Sequence, residues 1–492
     1  MNTLSAVFDV TNYGVVGDGE TNNTKKIAEV IAKMKEIGGG TIYFPPGQYV
    51  TGSIILGDNM TLYLDGGATI LGSADPEDYP LITNKEIEGY NRGGHTGLVA
   101  ALNAKNITVT GRGTLDGRGY NWWHTPKNEH RPRAFQPIMC ENVRLDGISI
   151  INSAMWTVHP MCCRNITIDG ISIKNPADSP NTDGINPESC QNVHISNCQV
   201  DVGDDCVTLK SGTEDDLFQK QFPCENITIT NCTMNNGHGG VVIGSEMSGG
   251  VRNVTISNCV FNGTDRGIRI KTRRKRGGSV EDIRIDNIMM TNVFSPLTIN
   301  GYYQCGGTDP NDMELFDLEK RPIEDSTPVF KNIYISNVTA REVKCAAGYI
   351  YGIPEMPVTS LHVDNFVCSM TKGEHDVEYS PIMAWHVPPT KGCGFYCANM
   401  KDVSFNNVHL DVERTPSIII ERSELVKVSG LTSEGSNTAV KLAESKDIMI
   451  SNSMVSPTAK EFIVTDKKSE ETLNVNGVAK SNDSQEIVKT ED

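Results

Sequence analysis

At 492 residues the chain has length for about two to four ordinary domains, and its formal net charge of −17 argues against nucleic acid or an anionic membrane as a general partner. No apolar run approaches the about 20 residues of a membrane-spanning helix, and Met1-Asn2-Thr3-Leu4 opens neither the basic segment nor the apolar core of a signal peptide. The 46 Gly and 23 Pro describe a turn-rich globular chain, and the 14 scattered Cys suit reduced thiols, so the expected location is the cytoplasm; a chain whose leader had been removed would read the same and would be secreted.

The first predicted element is a helix over 24–37. Ile27, Val30, Ile31, Met34 and Ile37 follow helical spacing, and Gly38-Gly39-Gly40 ends the segment. Thr41-Ile42-Tyr43-Phe44 then reads as a strand. A helix in this place would cover the open first coil of a solenoid, because an exposed sheet edge invites aggregation.

A repeat follows: Asn, apolar, any, apolar, any, then Asn, Asp or a residue like them. It begins at Asn142, Asn165, Asn192, Asn226 and Asn253, and in weaker form at Asp282, Asn332, Asp402 and Asp447. Periods of about 20 to 50 residues mark solenoids, in which each unit buries its apolar face against its neighbours. Within a unit the pattern alternates, as in Asn192-Val193-His194-Ile195-Ser196-Asn197, and a period of two argues for strand. Short strands with Gly, Asn and Asp at the corners predict an all-β chain folded as a single-stranded parallel β-helix. Cys198, Cys232 and Cys259 recur directly after Asn at one repeat position and read as an interior ladder, not as metal ligands. The β-helix is expected over 1–456. Beyond it the apolar pattern fades, and 457–492 reads as a C-terminal extension with a poorly ordered tail from Asn476.

Four motifs lie inside this repeat: Asn181-Thr182-Asp183, Gly203-Asp204-Asp205, Gly237-His238-Gly239 and Arg269-Ile270-Lys271. Asp183, Asp205, His238 and Arg269 follow the markers Asn165, Asn192, Asn226 and Asn253 by 18, 13, 12 and 16 residues, so successive coils are expected to deliver them to one face. Strands on adjacent coils lie about 4.8 Å apart, close enough for equivalent positions to act together. Asp183 precedes Asp204 by 21 residues, close to one coil. Crowded carboxylates raise one another's pKa, so one can stay protonated near neutrality and serve as an acid. Arg269 and Lys271 stand two apart in a strand and so point to one face.

In this order the four motifs resemble those of the polygalacturonases, the pectin-degrading glycoside hydrolase family 28. The resemblance runs from about Phe8 to Val455 and includes Tyr13-Gly14, Gly17-Asp18-Gly19 and the Phe44-Pro45-Pro46-Gly47 turn. Gly239-Gly240-Val241-Val242-Ile243-Gly244-Ser245-Glu246 and Lys271-Thr272-Arg273-Arg274 are similar to the bacterial exo-acting branch. The resemblance implies a right-handed β-helix and hydrolysis of α-1,4-galacturonosyl linkages with inversion. It implies that Asp204 is the acid, that Asp183 and Asp205 position and deprotonate the attacking water, and that His238 supports them. Arg269 and Lys271 then suit a galacturonate carboxylate, which Arg can bind bidentately.

Further expectations concern the substrate. Asn181 is a candidate for sugar hydroxyls, Tyr302 or Tyr303 for stacking on a sugar ring, and Trp156 and His159 for extending the site by one coil. Arg273-Arg274-Lys275-Arg276 reads either as binding for a second uronate carboxylate, through Arg273 foremost, or as a solvated loop. The expected partner is an acidic pectic oligosaccharide or polysaccharide, with no nucleic acid, membrane, metal or cofactor required. Marker spacing stretches to 50 residues between Asp282 and Asn332, and Phe366 to Asn399 forms a second excursion; loops there would wall off one end of a groove and favour exo action. Two rival readings remain. One is a pectate-lyase-like β-elimination, with Ca²⁺ held by the aspartates. The other is a non-catalytic carbohydrate-binding solenoid.

Overall fold

The computed structural model describes residues 6–83, 87, 94–126, 131–305, 307, 309–373, 380–390, 392–412, 416–454, 456–480 and 484–491. The chain is a parallel β-helix that divides into two compact units, 1–238 and 239–492.

In the first unit a column of strands stacks parallel and in register, from Gly40–Phe44 to Cys224–Thr230. Its inward side chains form one continuous ladder: Ile42, Leu62, Val109, Leu145, Ile168, Ile195 and Ile229, all fully buried. The alternation seen in the sequence is this ladder, with the intervening polar residues facing outward.

The repeat marker has a physical cause at the coil corner. Asn106, Asn142, Asn165, Asn192 and Asn226 all take left-handed backbone angles, with φ between 56° and 60°. Asn is among the few residues that adopt this conformation readily. Each Nδ2 also donates to Oδ1 of the Asn one coil before, at 2.7–3.1 Å. The weaker markers Asp282, Asn332, Asp402 and Asp447 of the second unit share the same left-handed φ.

The predicted helix is observed over Thr24–Glu36, with Ile27, Val30, Ile31 and Met34 buried beneath it. Ile37 lies past its end and is exposed, because the helix has already unwound toward the three glycines.

In the second unit, strands from Val251–Asn262 to Leu473–Asn476 form one parallel column, and strands from Val241–Gly244 to Glu486–Glu491 form another. The boundary expected at 456 is therefore corrected. Glu461–Asp466 pairs with both Thr438–Ala443 and Glu486–Glu491, and Leu473–Asn476 pairs with Lys446–Ser451. Phe462, Ile463 and Val464 are still buried there, and the apolar signal fades only at the last strands, Leu473–Asn476 and Glu486–Glu491, which bury little.

Cys198, Cys232 and Cys259 are buried, as the ladder reading expects. The first unit holds a further column, Cys140, Cys163, Cys190 and Cys224, in which burial pushes the thiols of Cys163, Cys190 and Cys224 above their usual pKa. Such neutral thiols are poor nucleophiles and poor metal ligands.

Candidate active site

Strand register explains why Asp183 and Asp205 meet. Val158, Ile185 and Val207 pair across three successive coils, and Trp156, Asp183 and Asp205 each stand two residues before them. The backbone carries that register to the aspartates, with Gly184 N–H donating to Asp205 O at 3.0 Å and Thr157 N–H to Asp183 O at 2.8 Å. Asp204 meets His238 by the same logic: Val202 pairs with Asn236, and His238 N–H donates to Asp204 O at 3.0 Å. Gly237 makes this approach possible. Its φ is 74°, and a Cβ there would sit 2.5 Å from Asp204 O.

One oxygen from each of Asp183, Asp204 and Asp205 lies within 4.8 Å of the others. Among the described residues this is the one cluster of acidic, His or Cys side chains able to hold a metal ion. The three differ in environment. Asp183 and Asp205 are 3% and 1% exposed, while the Asp204 side chain keeps 21% of its surface. Asp204 Oδ1 accepts from Asp205 N–H at 2.9 Å and lies 3.2 Å from His238 Nδ1. Asp183 Oδ2 accepts from Asn186 Nδ2 at 2.9 Å. Burial, reinforced by the charge of Asp204, pushes the Asp183 carboxyl up to about 8, against the opposing pull of Lys210. At neutral pH the resting Asp183 carboxyl thus keeps its proton.

Asn181 is exposed, and its Oδ1 accepts from Arg131 Nη2 at 2.8 Å. Asn175 Nδ2 donates to Thr182 O at 3.1 Å and to Thr157 Oγ1 at 2.8 Å, fixing the segment that carries Asp183. Lys210 and Asn186 belong to the site and were not anticipated. Lys210 is buried, and its ammonium lies 4.7 Å from the Trp156 ring centre. A charged residue closing the fully buried run Val207-Thr208-Leu209 was the available signal for it.

His159 does not extend the surface. It is buried, with Nε2 2.8 Å from Glu188 Oε2 and its ring edge-on to Trp156. Trp156 is half-buried and carries Arg133 as well as Lys210 against its ring.

The second unit gathers the cations. Arg269 and Lys271 lie on the strand Arg266–Lys271, both buried and both over the ring of Tyr303, at 5.5 Å and 5.0 Å. Tyr302 is corrected as a sugar-stacking residue. Its ring is fully buried in a cluster with Tyr349 and Tyr351, so no face is open to a sugar. The solvated-loop reading of the basic run is corrected, since of its four residues Lys275 alone is exposed. Arg274 pairs with Glu355 through two contacts, at 2.5 Å and 2.9 Å, and Arg276 Nη1 donates to Ser245 Oγ at 3.2 Å. Arg273, named as a substrate contact, is buried with its Nη1 on Arg274 O at 3.1 Å; only Lys275 reaches solvent. The run is no exposed basic patch, because Arg274 and Arg276 are taken up by internal acceptors.

The two long excursions of this unit meet each other. Phe316 packs edge-on against Trp385 at 4.8 Å, and His386 Nε2 donates to Pro310 O at 2.7 Å. Met383 then lies with its sulfur 3.2 Å from Arg269 Nη2, while its carbonyl accepts from Gln304 N–H at 2.9 Å.

Residues 80–352 match the family described as Glycosyl hydrolases family 28. A probable polygalacturonase of Vitis vinifera is 34% identical over 72% of this chain and 73% of its own length. An exopolygalacturonase of Zea mays is 28% identical over 73% of this chain and 82% of its own. Among solved structures, the hyperthermoactive exopolygalacturonase from Thermotoga maritima is similar with a TM-score of 0.65 and 30% identity, covering 75% of this chain and 88% of that one. A family 28 exopolygalacturonase from Yersinia enterocolitica, 20% identical, shares the fold with a TM-score of 0.65 over 90% of this chain and 78% of that one.

Proposed function

The chain belongs to glycosyl hydrolase family 28, and we propose from that premise that it cleaves α-1,4-galacturonosyl linkages of polygalacturonate or oligogalacturonides, from a chain end and with inversion. The carrying observation is the aspartate trio, three carboxylates within 4.8 Å in three environments that hold a proton near neutrality. Glycoside cleavage needs one carboxylic acid to protonate the leaving oxygen and one carboxylate to act opposite it.

In this reading Asp204, the most exposed of the three, delivers the proton. At rest the trio's proton lies on the Asp183 side, so delivery involves a transfer among neighbouring carboxyls. Asp183 and Asp205 then hold and deprotonate the water. His238, against Asp204 Oδ1, orients it. The oxygens are closer than the about 6.5–9.5 Å usual for inverting pairs, so the anomer of the product tests the water-activation scheme directly.

Arg269 and Lys271 read a substrate carboxylate. Arg269→Ala or Lys271→Ala should weaken action on free galacturonan by roughly 1.5 to 3 kcal/mol, the range for a hydrogen bond to a charged group. The effect should shrink on methyl-esterified substrate, whose carboxyl is already neutral. Equal losses on both, measured as kcat/KM, mean that these residues do not read that charge.

Exo action is supported by the meeting of the two excursions and by Met383 against Arg269, which leave the cations enclosed on that side. The family members named exopolygalacturonases add to it. Following viscosity against reducing-end yield on polygalacturonate tests the mode. Slow viscosity loss with early release of small sugars is expected, and a steep drop at low yield means mid-chain cleavage.

A further inference from the structure

The column that holds the aspartates continues backward through the first unit. Phe135 pairs with Val158, Val158 with Ile185 and Ile185 with Val207. The residues two positions before each are Arg133, Trp156, Asp183 and Asp205, one per coil. We propose that this column is a substrate track and that Arg133 is a specificity-determining residue, reading the carboxylate of a uronate bound two coils before Asp183.

Several features prepare Arg133 for this. The residue is half-buried, with its Nε buried, and its guanidinium rests 5.4 Å from the Trp156 ring centre. An indole face is a strong platform for a guanidinium, and it fixes the plane from which the N–H fork can meet a carboxylate. The buried ammonium of Lys210 lies on the same indole, so positive charge is concentrated at this point of an otherwise acidic chain. The backbone is fixed as well, with Arg133 O accepting from Leu98 N–H at 2.8 Å. Arg131, two residues earlier, donates to Ala154 O at 3.2 Å and to Asn181 Oδ1 at 2.8 Å, which ties the Arg133 segment to the one leading into Asp183.

Two coil spacings separate the Arg133 and Asp183 backbones by about 10 Å, which suits Arg133 to a unit farther along the chain. A galacturonan carries one carboxylate per sugar, so a cation at that distance meets a charge only when the substrate is long enough. The inference rests on the uronate-hydrolase reading, and chain length separates the two.

The test is kcat/KM for Arg133→Gln and Arg133→Lys on galacturonate oligomers of two to five sugars, with melting curves to show that both variants fold. The Gln variant should lose about tenfold or more on the longer oligomers, through KM, while the dimer is unaffected. The Lys variant should recover part of the loss. An equal loss at every length means a structural role and overturns the proposal, as does no loss at any length. A parent protein that cleaves none of the oligomers overturns the uronate reading itself, and this site with it.

Discussion

Asp204→Asn is expected to abolish hydrolysis while leaving the fold intact. General acid catalysis contributes about 10² to 10⁴-fold, and an amide in place of the carboxyl cannot supply the proton. The change preserves shape. Its oxygen can still accept from Asp205 N–H, and the side chain keeps 21% of its surface in solvent, so no core contact is lost. The melting temperature should therefore stay near that of the parent. A kcat near the parent value would remove Asp204 from the acid role and direct attention to Asp183, whose carboxyl is pushed up to about 8 by burial.

Asp183→Asn should also be severe for activity, and it carries a second signature of opposite sign. The Asp183 carboxyl is held up near 8 by burial and by Asp204, so between its unfolded value and that point the folded state binds more protons than the unfolded chain. Stability then falls as pH rises through the window from about 4 to 8, because the charged form is disfavoured where it sits. An uncharged Asn does not titrate, and its carbonyl can still accept from Asn186 Nδ2. Loss of turnover should thus come with a gain in melting temperature that is small near pH 4 and largest near pH 8. A variant that is destabilised equally at both pH values would mean that Asp183 is not held neutral by its neighbours.

Local patterns proved the most legible. The alternation at Asn192–Asn197 names its buried residues because a strand has period two and one face inside, and the Asn corners are conspicuous because few residues accept φ near 57°. The approach of Asp183, Asp204 and Asp205 was legible for the same reason, since a repeat converts sequence spacing into stacking. What was hidden depended on partners distant in sequence. Tyr302 looks like a sugar platform until Tyr349 and Tyr351 bury it. Arg274 looks solvated until Glu355, 81 residues on, claims it. Lys210 was passed over although it closes the run Val207-Thr208-Leu209, because its partner Trp156 stands 54 residues away in sequence. The end of the β-helix was misplaced because its last strands, Leu473–Asn476 and Glu486–Glu491, bury little and leave no apolar period to read.

The most direct test of the central claim is proton NMR of tri-galacturonate from the first minutes of incubation with the protein. Hydrolysis by inversion at a chain end predicts saturated galacturonate and digalacturonate, with the newly formed reducing end appearing first as the β-anomer. An unsaturated product would mean β-elimination, an initial α-anomer would mean retention, and an unchanged spectrum would mean a binding protein; any of the three would contradict the account.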